Sequence, residues 1–141
     1  MSSSMSSLTR FNKWLARRVF GRLTRTVVAV RPPDFVIGND PSNPYMRRWW
    51  VVPRNRFFNV YLHHILRDDE DRDALHDHPW TSLSLCLSGE VGEVYKTSAG
   101  NQTRVAREGD WVYRSSRFAH ALFLTSGPAW TLFVTGPRIR E

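Results

Sequence analysis

The stretch HDHPWTSLSLCLSG, residues 76–89, decides how the chain is read. Its second half alternates, with Leu83, Leu85 and Leu87 on one side and Ser82, Ser84, Cys86 and Ser88 on the other. A period of two is the signature of a β-strand with one apolar face. Its first half places His76 and His78 two positions apart. On an extended chain both imidazoles then face one side and can reach a common point. Pro79 has no N–H to give to a ladder, which suits the beginning or the edge of a strand.

Outward from this stretch the same period recurs. Arg48 to Val52, Phe57 to Leu66, Glu93 to Thr97, Gln102 to Arg107, Trp111 to Arg114, Ala119 to Thr125 and Trp130 to Thr135 read as strands, rich in aromatic and β-branched residues. Turn chemistry separates them at Ser88-Gly89, Ala99-Gly100-Asn101, Glu108-Gly109-Asp110 and Ser126-Gly127-Pro128. Many short strands closed by frequent turns mean an all-β sandwich or barrel. Asp34 to Pro44, with Gly38, Asn39-Asp40-Pro41 and Asn43-Pro44, reads as loop.

The N-terminal segment is different in kind. Leu8, Phe11, Leu15, Val19 and Leu23 recur at helical spacing, with Trp14 and Phe20 beside them and arginines filling the other face. This predicts an amphipathic helix from Leu8 to about Val30, weakened by Gly21 and by the β-branched run from Thr26, and stopped by Pro32-Pro33. Residues 1–31 carry seven basic side chains and no acid, whereas residues 32–141 balance thirteen basic against thirteen acidic. The formal net charge of +7 is therefore the charge of the arm. Three readings follow for it: docking on the barrel or on a second subunit, lying on an anionic membrane surface, or neutralising nucleic-acid phosphates. Docking accounts best for the apolar positions. The expected organisation is a basic arm at 1–31, a loop and leading strand at 32–56, and the barrel at 57–141.

Composition narrows the class. Hydrophobic residues make up 41% of the 141, with six tryptophans, which is the composition of one packed domain. One cysteine rules out an internal disulfide framework and points to a reducing, cytoplasmic setting. No run approaches the ~20 apolar residues of a membrane span, and the start lacks the features of a secretory signal. No serine sits in a nucleophile elbow, no His-x-Asp pair offers a facial triad, and no glycine-rich phosphate loop is present.

What remains is histidine chemistry. His120 lies forty-two residues after His78 and can supply a third imidazole to the pair. Such a set suits iron, zinc, copper, nickel or manganese.

The order of these residues resembles the two sequence motifs of the cupin superfamily. The first is a His-x-His pair, a glutamate a few residues on, and a glycine seven positions after that glutamate. Here His76-Asp77-His78 and Gly89 match, with Ser82 at the glutamate position. The second runs glycine, five residues, proline, one residue, glycine, two residues, histidine. Gly109 and His120 match its ends, while Ser115 and Arg117 replace the proline and glycine. The resemblance spans about residues 57–136. It implies a double-stranded β-helix, or jelly-roll, barrel with the basic helix outside it, a small-molecule substrate, and a homodimer formed through the sheets.

With serine at the glutamate position the site reads as three neutral histidines. Glu90 and Glu93 are the next acids, at or beyond the Gly89 turn. Such a three-His site is similar to the thiol dioxygenases among the cupins, one branch of which carries the His-Asp-His-Pro string found at 76–79. That resemblance implies Fe(II), with Zn, Mn or Ni as other candidates, and sulfur oxidation by O2. It also extends to short cupin-like bacterial and phage proteins without assigned activity. The functional expectation is an Fe(II) oxygenase acting on a small molecule or thiol; the alternative is a non-catalytic metal- or ligand-binding accessory protein. Ser82, Ser84, Tyr61, Tyr113 and His63 are the pocket candidates, and Asp77 is expected to bind an arginine such as Arg72 or to orient a ligand from outside. Trp80, Trp111, Trp130, Phe123 and Phe133 are expected in the core, Cys86 as a small buried hydrophobe, and the acidic stretch Asp68 to Asp73 as solvated loop.

Overall fold

The computed structural model describes residues 5–69 and 75–139. The segment containing Arg72 and most of the acidic stretch lies outside them. Helix α1 (Ser7–Leu23) begins at Ser6, whose hydroxyl accepts the Thr9 backbone N–H at 3.1 Å. A single π-helical turn (Thr24–Val28) extends it before the two prolines. Among the described residues nine strands follow: β1 (Phe35–Ile37), β2 (Met46–Trp50), β3 (Asn59–Ile65), β4 (Ser82–Ser88), β5 (Glu90–Thr97), β6 (Gly100–Arg107), β7 (Trp111–Arg114), β8 (His120–Leu124) and β9 (Ala129–Thr135).

The strands form two antiparallel sheets, ordered β1-β2-β3-β9-β4-β7 and β6-β5-β8. This is the jelly-roll arrangement that the resemblance implies, and one of the sandwich or barrel forms that the strand pattern allows. Register and the period of two set the inner wall. Ser84 lies opposite Phe133 and Val112, and Arg48 lies opposite His63, so these side chains share the inner face of the larger sheet. Their sequence neighbours Leu85, Leu87, Leu62 and Trp49 face outward and receive the helix, forming one buried cluster with Ala16, Leu23 and Val27. A second cluster, Tyr45, Met46, Ile65, Val91 and Ala129, fills one end of the space between the sheets.

Several expectations need correction. The segment from Asp34 to Pro44 contains β1, paired with β2 from Phe35↔Arg48 to Ile37↔Met46; three residues are too few to show a period. Within residues 32–56, β2 is the leading strand and pairs with β3 at five positions. His76 and His78 do not lie in a strand. One isolated bridge joins His76 to His120, the N–H of each donating to the other's carbonyl at 3.2 and 3.0 Å. On the helix, Phe11 and Trp14 stay 53% and 55% exposed, their rings tilted against each other at 5.9 Å, because the buried side is centred on Ala16.

The helix rests on the turn between β6 and β7. Gly109 there has φ +89, and a Cβ on it would come within 2.9 Å of the Lys13 backbone nitrogen. Arg17 bonds Glu108 at 2.9 Å beside it, and the Trp111 indole donates to Asn12 at 3.4 Å. Leu85, 1% exposed between helix and sheet, carries much of this packing. Leu85→Ala is expected to cost about 2–5 kcal/mol in chemical denaturation. A loss under about 1 kcal/mol would mean that the helix does not cover it in solution.

Candidate metal centre

Three imidazoles meet at one end of the space between the sheets. A ring nitrogen from each of His76, His78 and His120 lies within 4.8 Å of the others. The ring centroids are 5.1 Å apart for His76–His78, 5.4 Å for His76–His120 and 5.6 Å for His78–His120. The reciprocal bridge to β8 brings the His-x-His segment here. His120 itself begins β8 and is 6% exposed.

The hydrogen bonding and burial of the group fit metal ligation. His120 Nδ1 lies 2.6 Å from Glu93 Oε2, while its buried Nε2 has no hydrogen-bond partner among the described residues. A carboxylate at Nδ1 fixes that proton and turns Nε2 into a lone-pair donor, the usual support of a metal-bound imidazole. His78 is pushed down to about 4, by burial first and then by the neighbouring charges of His120 and His76. It is therefore neutral and ligand-competent at pH 7. A buried imidazole nitrogen with nothing to bond beside two further imidazoles suits a divalent ion well.

Glu93 is the residue whose place the sequence understated. The Gly89 turn leads straight into β5, which crosses the opposite side of the cavity, so Glu93 faces inward and is 2% exposed. Its Oε1 accepts from Arg104 at 2.6 Å and its Oε2 from Arg114 at 2.5 Å. Burial alone would raise its pKa, but the His120 hydrogen bond and the Arg114 charge outweigh burial and hold it at about 2. Arg114 also donates to Ser84 Oγ at 3.1 Å. Glu90 lies nearer the surface and bonds Thr125 and Arg107.

The histidines open on a cavity of about 390 Å³. Ser84 and His63 line it; Ser82, Tyr61 and Tyr113 do not. Ser82 has the right parity but sits one step along β4, between Arg114 and Thr135. Tyr113 is 64% exposed because it pairs with the outward-facing Leu83, which removes it as a source of a phenol to the pocket. Tyr61 is buried behind His63, its ring 5.9 Å from that imidazole and 6.5 Å from Phe133. Trp80 and Phe133, expected as core, line the cavity, and Trp80 stacks on His78 at 5.3 Å. Trp130 does pack in the core, stacked on Trp49 at 5.7 Å, whereas Trp111 is 43% exposed. Cys86 lines the cavity, yet burial pushes its thiol up to about 12, so it stays protonated. His76 Nε2 lies 3.9 Å from Asp69 Oδ2. Asp77, between His76 and His78, is exposed.

His63 is fully inside and accepts Arg48 Nε–H at its Nε2, 2.9 Å away. Burial, then the charges of Arg48 and Arg114, hold its pKa well below 6.5. The unfolded chain therefore binds a proton here below about pH 6.5 that the folded chain refuses. Folded stability should fall as pH drops through that value, and His63→Gln should flatten the decline in urea unfolding measured from pH 8 to 5. Equal slopes for both proteins would contradict this.

No protein-family model matches the sequence, and no curated protein matches it significantly. Solved structures do resemble the backbone. Hydroxypropylphosphonic acid epoxidase from S. wedmorenis aligns with a TM-score of 0.56 at 16% identity, over 75% of this chain and 58% of its own. A variant of oxalate decarboxylase from Bacillus subtilis gives 0.51 at 17%, over 68% and 26%. A cupin superfamily protein from Desulfitobacterium hafniense DCB-2 gives 0.54 at 14%, over 65% and 77%. The chain thus spans little more than half of the epoxidase and about a quarter of the decarboxylase. At these identities the likeness is one of fold.

Proposed function

The chain has the cupin fold, and from that premise we propose that His76, His78 and His120 hold one divalent metal ion, Fe(II) by preference, in a site that oxidises a small molecule with O2. The observation that carries this reading is the buried Nε2 of His120, without a partner among the described residues and set by Glu93 to face two further imidazoles. A three-nitrogen set leaves positions on an ion free for reactants, and such an ion supplies Lewis acidity and access to redox chemistry.

The protein's own contribution is arrangement. Glu93 fixes the His120 tautomer, and Arg104 and Arg114 keep that carboxylate ionised. Trp80 packs on His78 and Phe133 on His63, lining a space that limits the substrate to a small molecule. Both sulfur and non-sulfur substrates fit a cavity with this mixture of apolar and cationic walls. The epoxidase and the decarboxylase among the structural neighbours are enzymes by name, in keeping with a catalytic reading.

Two measurements test this. Protein purified without chelating resin should contain close to one equivalent of transition metal by elemental analysis. Iron-loaded protein should consume O2 with at least one member of a panel of small thiols and small organic acids. Absence of any stoichiometric metal would sink the proposal; metal without O2 uptake would leave a binding protein in place of an oxygenase.

A further inference from the structure

The cavity walls carry more positive than negative charge. Arg48, Arg104 and Arg114 line it against two carboxylates, Glu93 and Asp69. Arg104 and Arg114 share Glu93 between them. Arg48 has no carboxylate partner among the described residues. Its Nε is committed to His63, its guanidinium carbon lies 4.6 Å over the centre of the Tyr61 ring, and its two terminal NH2 groups make no hydrogen bond among the described residues.

This placement is built into the sheet. Arg48 and His63 are direct register partners on β2 and β3, on the same inward face. Tyr61 stacks flat against His63 at 8° between ring planes, so the guanidinium rests on a rigid pair of rings. An imidazole whose Nε2 accepts from arginine holds no charge and cannot neutralise it. Arginine held by one edge in this way presents its other edge as a planar, two-pronged donor, the shape that pairs with carboxylate or phosphoryl oxygens. A second observation points the same way. The buried indole N–H of Trp80, lining the same cavity, also has no acceptor among the described residues.

We infer that the cavity takes a small anion whose carboxylate or phosphoryl oxygens are bound by the free edge of Arg48. The inference rests on reading this cavity as a small-molecule site. It adds the substrate class: an organic acid or phosphoryl compound, its charged group on the larger sheet and its reacting part toward the three histidines. A half-buried guanidinium lining a cavity favours a charged ligand over an uncharged one, so a neutral analogue of the same shape would be discriminated against.

The test uses the full chain stripped of metal with EDTA, so that anions cannot bind through an ion. Sodium acetate and inorganic phosphate are titrated in turn, with acetamide as the uncharged control, while the Arg48 Nε–H resonance is followed by NMR. Acetate, phosphate or both should shift that resonance saturably, acetamide should not, and the stronger anion identifies the oxyanion class. Arg48→Gln should weaken binding at least about tenfold, with other cavity resonances as the probe. Arg48→Lys, which keeps the charge without the fork, should fall between and covers the case in which the glutamine variant does not fold. No saturable shift from either anion, or unchanged affinity in the variants, would overturn the inference. His120→Ala separates the two readings: it should lose metal and keep anion binding. Anion binding in a chain that never takes up metal would defeat the metal proposal and leave this one standing.

Discussion

His120→Ala is expected to give a folded protein that has lost at least about 100-fold in affinity for Zn(II) or Fe(II), more than the 10–100-fold that a merely supporting residue costs. His120 Nε2 is a buried nitrogen with no hydrogen-bond partner among the described residues. Removing the ring removes one of three donors outright. The fold should survive, because Glu93 keeps Arg104 and Arg114 as partners. The backbone bridge to His76 does not require the side chain. Elemental analysis and calorimetric titration of the variant measure the loss, and a melting curve confirms the fold. His78→Ala should behave alike. His64→Ala is the control, since His64 stacks outward on Trp130 at 3.9 Å and should not change metal content. Full metal occupancy in His120→Ala would refute the three-histidine assignment.

Glu93→Ala is expected to be the most damaging single change in the molecule, at about 3–5 kcal/mol of stability. Its carboxylate is joined to both Arg104 and Arg114, and Arg114 is itself buried, with a side chain 9% exposed. Without Glu93, the guanidinium groups of Arg104 and the buried Arg114 repel one another with no shared carboxylate between them, and the His120 ring loses its anchor. Glu93→Gln divides these effects. The amide keeps the shape and can still accept from His120 or an arginine, so part of the stability should return. It lacks the charge that makes His120 a strong donor, so metal affinity should remain about 10–100-fold low. Urea denaturation and metal titration on the two variants separate the roles. Wild-type stability in Glu93→Ala would mean that the buried network contributes nothing.

The histidine pair and the apolar alternation of residues 82–88 were legible because each depends on a local period. His120 was legible through its distance from Gly109, a spacing that a fold-level resemblance could supply. The supporting carboxylate was harder. The resemblance puts an acid at position 82, where Ser82 stands, so the sequence alone predicts three histidines and no acid. The structure places Glu93 instead beyond the His120 ring, on the second sheet. Parity within β5 fixes its direction only once the strand is known to begin at Glu90. Arg48 was hidden for a similar reason. Between Arg47 and Trp49 in a run of large side chains, nothing local shows which alternate residues face in; pairing with His63 decides it. The helix is legible as a helix, but its spacing puts Phe11 and Trp14 with the packed face. Spacing alone gives the period of a stripe and not the angle at which Ala16 lets the helix approach.

Gly109 joins two parts of the chain into one unit of variation. A side chain at this position meets two independent obstacles, the left-handed backbone and the Lys13 main chain 2.9 Å away. Only the second would vanish if the helix were removed or displaced. The cost of Gly109→Ala should therefore be smaller in a chain without residues 1–31 than in the full chain, a non-additivity that reports the contact directly. Across related sequences, the turn and the arm would be free to drift only in step.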